Sequence, residues 1–488
     1  MASHARPRIA IRFRLGPRMK SHLPLTLLAL LACEGPFVPP PLGPPPPPTV
    51  ASVQLAPDSA TIVAGDTLPL IVTLRDSSGA ALTGRTVAWQ SADARVAIVS
   101  SGGVVLGIDA GATTVRATAN GHADSVTVFV TPIVYTTIST GAAHTCATAS
   151  NQHLYCWGDN ASGQTGTGTG DLQEPTPRLI ADPAPYSTVV AGGDHTCGLT
   201  AGGGVACWGK NDQGQLGRGG APGTPSLPAP VATPLRFTAL AAGASHTCGL
   251  TADGGTYCWG LDFAGQLGDG GTTFRDTPRR AISDVAFATL VAGANHTCAL
   301  AAGGGAYCWG ANALGQLGDS TRANRGTPVP VAGGLSFARL SAGGAHACAL
   351  TAAGAAYCWG GNIAGQLGTG TADSLEVTPQ PVTGGLSFRV IAAGGAHTCG
   401  LTADSLAYCW GNDSDGELGD SAMTTQPIAT PVLVRGGLRF ADLRAGASHT
   451  CGITGTRLVY CWGSGLQGQL GQLFPHSSAV PLRVAGQP

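Results

Sequence analysis

The chain is short of charge. Asp, Glu, Lys and Arg make up 11% of its 488 residues, against about a quarter in ordinary globular domains. Only two lysines occur, Lys20 and Lys210. A general electrostatic grip on nucleic acid needs clustered Lys and Arg, so that function class is disfavoured. Aromatic residues are scarce as well, at 6%, yet hydrophobic residues reach 43%, too many for a chain disordered throughout. Downstream of residue 32 there is no Gly-x-Ser-x-Gly, no His-Glu-x-x-His and no phosphate loop, the short patterns that would announce a hydrolase, a zinc protease or a nucleotide site.

The charge that is present is unevenly placed. Six of the 26 basic residues, Arg6, Arg8, Arg12, Arg14, Arg18 and Lys20, precede Cys33, and the first acid is Glu34. From Cys33 onward 20 basic residues face 27 acidic ones, a balance of −7. Between the two regions lies "MKSHLPLTLLALLAC", a lysine and then an apolar run too short to span a bilayer. With Leu30-Leu31-Ala32 before Cys33, this stretch resembles a bacterial lipoprotein signal peptide. The resemblance implies cleavage after residue 32, lipidation of the Cys33 thiol and an extracytoplasmic, membrane-anchored location in the cell envelope. Residues 1–18 make an unusually long leader, and Met19 is the expected start. Residues 33–49 are dominated by "EGPFVPPPLGPPPPPT", which reads as an extended polyproline spacer of roughly 50 Å at about 3.1 Å per residue.

Residues 50–131 alternate short β-branched runs with Gly, Asp and Ser turns, the pattern of a small β-sandwich. The order Trp89-Gln90-Ser91, Val96-Ala97-Ile98-Val99, Gly103-Val104-Val105 and Ala110-Gly111 resembles bacterial immunoglobulin-like domains of group 2. No cysteine lies there, so the expected core is apolar packing around Trp89, and the expected role is that of a stalk.

Residues 133–488 repeat. Seven cysteines, Cys146, Cys197, Cys248, Cys298, Cys348, Cys399 and Cys451, recur every 50 to 52 residues, a period that marks a repeat fold. Each has a partner ten residues on: Cys156, Cys207, Cys258, Cys308, Cys358, Cys409 and Cys461. With Cys33 they account for all 15. In the fourth copy, "HTCALAAGGGAYCWG", placing Cys298 opposite Cys308 makes the glycines around Gly303 the turn of an antiparallel hairpin. Opposed residues approach closely enough for a disulfide, and bridges suit an exported chain. The same register sets Ala299 against Tyr307, a small residue facing a large ring as a sheet packed on both faces requires. In the second copy Ala206 faces Gly198, which predicts a looser contact.

Each second cysteine is followed by Trp-Gly, and "WGKNDQGQLGRG", "WGLDFAGQLGDG", "WGANALGQLGDS" and "WGGNIAGQLGTG" are similar to the repeat of the regulator of chromosome condensation family, as are "AAGASHTCGLT" and "SAGGAHACALT". The resemblance implies an all-β chain whose main domain is a seven-bladed β-propeller with four strands per blade. The chain starts this region at "YTTISTGAAHTC" and ends after "AVPLRVAG", so its terminal strands are expected to complete one shared blade and close the ring.

Sharper sites are few. His144, His195, His246, His296, His346, His397 and His449 stand two residues before a first cysteine, on the face a zinc ion would need. Three ligands in an exported hairpin are more simply one disulfide and one hydrogen-bonded histidine, and the resemblance implies a structural histidine. "NDSDGELGD", Asn412 to Asp420, has a calcium-loop flavour but lacks the glutamate at the twelfth position, and it reads as a solvated turn. No metal, cofactor or catalytic residue is expected, and the chain is not read as an enzyme. Segments of changing content follow each Gly-Gln-Leu-Gly, as variable loops on a rigid scaffold do. Arg275, Arg279, Arg280, Arg322 and Arg325 mark the most basic part of that candidate binding rim.

The expectation is therefore a lipid-anchored binding or scaffold protein that presents the propeller to an unknown protein or glycan, with no nucleic acid and with membrane contact through the anchor alone. A secreted bacterial β-lactamase inhibitor with this repeat shows that the family can act by binding. The alternatives are nucleotide exchange on a small GTPase, which no large insertion in any copy supports, and a structural envelope protein without a specific ligand.

Overall fold

A computed structural model describes residues 47–220, 222–474 and 476–487. Cys33, the signal segment and the spacer up to residue 46 lie outside the described residues. Every regular element within them is a β-strand, and the strands form ten sheets.

Three sheets lie between Ser52 and Thr131. The largest runs Ser59–Val63, His122–Thr131, Gly111–Ala119, Ala88–Ser91. The three share one apolar core built on Leu55, Val105, Val115, Val126 and Val128. Trp89 does not centre it. The indole is half-buried, packed against the core's edge. It lies over Gly103, where a Cβ would come within 2.5 Å of the ring. A large ring is accommodated at the edge because a glycine with φ +78° makes room for it.

The other seven sheets follow in sequence from Tyr135 to Arg483, four consecutive antiparallel strands each. In the first they are Tyr135–Thr140, His144–Ala149, Leu154–Asp159 and Gln173–Leu179. The expected register is present. Cys298 pairs with Cys308 and Ala299 with Tyr307, and the hairpin turn carries Gly304 at φ +83°. All seven cysteine pairs are bonded, with Cα atoms 4.1 Å apart, near the spacing of a non-hydrogen-bonded antiparallel pair. The small residue beside each first cysteine serves a ring on the innermost strand. A Cβ on Gly249 would meet Phe237 at 2.4 Å. In sheet two Tyr186 lies over Gly198 in the same way, so the missing Tyr at 206 leaves the inner side of the hairpin filled.

Two expectations are corrected. No strand is shared between the ends of the chain: Tyr135–Thr140 and Ser477–Arg483 each belong to a complete sheet of their own. The copy that starts at residue 135 already holds its four strands, and "AVPLRVAG" continues the outermost strand of the seventh. The segments after Gly-Gln-Leu-Gly are not loops throughout either. In six of the copies much of the segment is the outermost strand, as at Arg275–Arg280 and Leu375–Pro381, while in the second only Ala229–Pro230 is. An edge strand pairs on one side only and tolerates proline and charge, which hides it from a reading of alternation.

Closure comes from hydrogen bonds between neighbouring sheets, at the turn between first and second strands. The N–H of Ala142 donates to the carbonyl of Gly192 (3.1 Å), Gly193 to Gly243, Ala244 to Ala294, Ala294 to Gly343, Gly344 to Gly394, Gly395 to Gly446, and Ala447 back to Gly141 (3.2 Å). Glycine is needed for close approach here. A Cβ on Gly192 would stand 2.3 Å from Cε1 of His195 and 2.7 Å from the Gly243 oxygen.

The first sheet also meets the small domain. Tyr155 donates its hydroxyl to the Ala64 carbonyl (3.1 Å), Asn151 donates to Asp66 (2.8 Å), and His153 Nδ1 lies 3.0 Å from the same carboxylate.

Candidate functional site

The seven sheets have two unlike ends. One carries the turns between first and second strands and the long loops that follow Trp-Gly. The other carries the cysteine hairpin turns and the links to the next sheet. A central cavity lined by the innermost strands, with Ser139, Ser341, Arg339, Asp442 and Arg444 among its walls, narrows at the long-loop end to a ring of glycine and alanine.

A buried network fixes this geometry, and it rests on a residue that the sequence reading passed over. His144 Nε2 lies 2.9 Å from Oγ1 of Thr196 in the next sheet. Thr196 donates to the Gln164 carbonyl (2.8 Å), which also accepts the indole N–H of Trp208 (2.9 Å). Because the hydroxyl proton goes to the carbonyl, Nε2 must be the donor, and each such imidazole is the neutral Nε2–H tautomer. The pattern continues round to His449, which bonds Thr145 at 2.9 Å. Burial holds these histidines far below the usual range, at about 3 for His195, His246, His346 and His449 and about 4 for His144, His296 and His397. The histidines are therefore structural, and the cysteines beside them are taken up in disulfides. Among the described residues no group of three or more His, Cys, Asp or Glu is placed to hold a metal.

The network has one gap. Ala347 stands where the other copies have threonine, and both nitrogens of His296 are buried without a hydrogen-bond partner. Ala347→Thr supplies the missing acceptor for His296 and a donor for the Gln316 carbonyl. The expected result is a gain of ~1 kcal/mol in denaturant midpoint analysis, with Ala347→Val as the control that adds bulk without the bond and shows no comparable gain.

The five arginines of the candidate rim do not form one patch. Arg275 and Arg325 begin the outermost strands of sheets three and four at the long-loop end, where each Nε donates to the acid after Gly-Gln-Leu-Gly: Asp269 and Asp319, both at 2.7 Å. Arg322 is on the same end and donates to the Ala313 carbonyl (2.8 Å). Arg279 and Arg280 pair with Cys258 and Tyr257, toward the hairpin end, with Arg280 five residues and thus ~16 Å along the strand from Arg275. Arg280 lines a hollow with Asp253 and Asp284.

What gathers at the long-loop end instead is apolar. Phe263 (58% exposed), Phe274, Leu314, Ile363 (77%), Leu466 and Phe474 (76%) all project from the loops that follow Trp-Gly, while among the described residues no exposed large apolar side chain lies on a cysteine hairpin turn. Leu314 reaches the next sheet, within 3.3 Å of where a Cβ on Gly361 would stand, so its apolar surface adjoins sheet five. The sequence contained this signal as Phe263, Leu314 and Ile363 in loops otherwise rich in small and polar residues. The reading as a solvated turn is overturned at Asp413 and Glu417, which are 0% and 1% exposed.

The RCC1-like domain model matches residues 83–391 and 171–486, most of the chain. The chain belongs to the RCC1-like domain family. Among curated RCC1-like relatives, the ultraviolet-B receptor UVR8 of Arabidopsis thaliana is 35% identical over 150 residues, 30% of this chain and 34% of that protein. The probable E3 ubiquitin-protein ligase HERC4 of Homo sapiens is 32% identical over 149 residues, 30% of this chain and 14% of HERC4. The chain thus spans a small part of the curated relatives that it matches. Solved RCC1-like structures agree in fold. Yeast RCC1 (Prp20), bound to Kap60, superposes with a TM-score of 0.61 at 24% identity over 72% of this chain and 84% of that one. Human WBSCR16 gives 0.63 at 22% identity over 68% and 94%. At these identities the likeness shows the β-propeller fold alone.

Proposed function

We propose that this RCC1-like protein is a lipid-anchored, extracytoplasmic binding module. Cys33 is its anchor, residues 50–131 an immunoglobulin-like stalk, and residues 133–488 a seven-bladed propeller that engages a protein or glycan. It works without a cofactor and without chemistry of its own, has no nucleic-acid partner, and meets the membrane through the lipid alone. The observation that carries the reading is the gathering of exposed apolar side chains on the long loops at one end of a disulfide-stapled scaffold, against only Leu179, Ile282 and Leu433 where the outermost strands finish at the other. An apolar patch of this kind on a soluble face marks an interaction site, and loops on a rigid frame are where repeat folds place one. Seven disulfides are in keeping with an oxidising compartment, and the bonds from the first sheet to Ala64 and Asp66 would let the stalk present that end in a fixed direction.

The test is surface cross-linking on intact cells of the native host, comparing the full chain with the double variant Phe263→Glu, Ile363→Glu. Both side chains are exposed, so the variant is expected to fold with an unchanged melting temperature and to lose at least tenfold in cross-linked product. Non-reducing mass spectrometry of the same sample is expected to show a diacylated Cys33 at the mature N-terminus. An unprocessed N-terminus, or equal cross-linking by variant and wild type, overturns the reading.

A further inference from the structure

The third position after each sheet's tryptophan is filled by Asn in four copies, by Asp262 and Asp413 in two, and by Gly465 in the seventh. The asparagines show what the position faces. Asn312 accepts the N–H of Leu317 on Oδ1 (3.0 Å) and sends its amide protons to four oxygens: Asp319 Oδ1 (3.0 Å), the Thr321 carbonyl (3.1 Å), Thr321 Oγ1 (3.3 Å) and the Ala323 carbonyl (3.1 Å). The loop is a cage of acceptors built around a donor.

Sheet six repeats the first part of that cage, 101 residues further along, before its loop runs two residues longer. Asp413 Oδ1 accepts the N–H of Leu418 (3.1 Å). Asp420 Oδ1 accepts the N–H of Ala422 (2.8 Å), as Asp319 accepts Thr321 (3.0 Å). Ser421 takes the left-handed conformation of Ser320, φ +75° against +67°. By this correspondence the second oxygen of Asp413 takes the place of the Asn312 amide nitrogen, on the side of Asp420, whose charge acts on it, and of the Ala422 carbonyl. Asp413 is fully buried, and this oxygen has no hydrogen-bond partner. An acceptor has been aimed into a cage of acceptors, an arrangement that repels itself unless a cation or a shared proton sits between them.

Sheet three distinguishes a cation site from a mere acid pair. Asp262 also points an unpartnered oxygen inward, but there Arg275 donates to the facing Asp269. In sheet six the residue paired with the glycine after the tryptophan, as Arg275 and Arg325 are in sheets three and four, is Ile428. Arg435 donates to the main-chain carbonyl of Asp420 (3.3 Å). Asp413 and Asp420 therefore face each other with no arginine on either carboxylate.

We propose that Asp413, Asp420 and the Ala422 carbonyl hold a divalent cation of the calcium type, which takes carboxylate and carbonyl oxygens in flexible geometry. The ion ties the sixth long loop to the strand behind Trp410, at the end that carries the apolar side chains. The site stands whether or not that end binds a partner.

The test uses the full chain, purified with its disulfides intact and stripped with chelator. Calcium chloride titrated calorimetrically should give one site, and free calcium about 100-fold above its Kd should raise the melting temperature by ~3 °C. Asp413→Asn recreates the Asn312 arrangement: it should abolish the calorimetric signal and the calcium-dependent rise, yet melt in chelator at or above the wild-type temperature. Asp262→Asn should keep the full calcium response. A wild type with neither heat nor shift, while Asp413→Asn is still stabilised, means that the pair shares a proton and overturns the proposal. So does a calcium response that survives Asp413→Asn.

Discussion

Taken from pH 7.5 to 5.5 in the presence of chelator, the protein is expected to lose ~5–10 °C in melting temperature with its disulfides intact. Seven imidazoles are fully buried and held neutral in the fold, at about 3 or 4, whereas in the unfolded chain each titrates near 6.5. The sign follows directly. Below about 6.5 the unfolded state binds more protons than the native state, so stability falls as pH falls. Each histidine gives up about 1.4 kcal/mol per pH unit in that window, and seven together lose ~10 kcal/mol by pH 5.5. The groups around them do little to offset this. Desolvation dominates throughout; Asp194 favours the charged form of His144, while neighbouring histidines disfavour it at His195, His246, His346 and His449. Asp262 and Asp413 oppose the trend, since burial raises each to about 7 and such a group gains stability as pH drops through that value. The two return about 4 kcal/mol, leaving ~6 kcal/mol, which the unfolding entropy of a chain this size converts to roughly 6 °C. A melting temperature flat across this range would mean that the imidazoles are hydrated or already charged, and that the histidine–threonine network is not as described.

Sequence and structure part company at instructive places. The hairpin register was legible because it is local: cysteines ten residues apart, a glycine turn between them and a small residue facing each ring leave one pairing open. The histidine–threonine network is not, because the partners lie about 50 residues apart, and the clue is a threonine that an alternation pattern treats as filler beside histidine and cysteine. Ala347, the one departure, looked conservative and leaves a buried imidazole without a bond. The outermost strands were taken for loops because an edge strand need not alternate and Pro330 or Pro381 can end one. The rim arginines read as a charged surface, but two of them are held by Asp269 and Asp319, and Arg279 and Arg280 sit toward the other end of the sheet. Residues apolar enough to bind something were overlooked among them, because single exposed Phe or Ile residues carry no pattern until seven loops are brought to one end.

Trp259→Ala is expected to cost ~3–5 kcal/mol. Trp259 is fully buried, lies tilted against Phe237 with ring centroids 5.9 Å apart and sits with Leu199, Leu216 and Leu240 in the core that joins sheets two and three. Its indole N–H donates to the Gln215 carbonyl (2.9 Å), the oxygen that also receives Thr247 (3.0 Å). Truncation opens a cavity between two sheets that the hydrogen-bonded glycine ring prevents from collapsing. The copies supply their own control. Trp309 is equally buried but its N–H has no hydrogen-bond partner, so removing that N–H there sacrifices packing alone. Trp259→Phe should therefore be worse than Trp309→Phe by ~1 kcal/mol, the worth of one buried hydrogen bond, in urea midpoints measured at constant slope. Equal costs for the two phenylalanine variants would show that the indole bond to the Gln-Leu-Gly segment contributes nothing, and that shape alone holds neighbouring sheets in register. A difference in the expected direction makes that carbonyl, shared by threonine and tryptophan at five of the seven junctions, the joint by which those copies bind the one before.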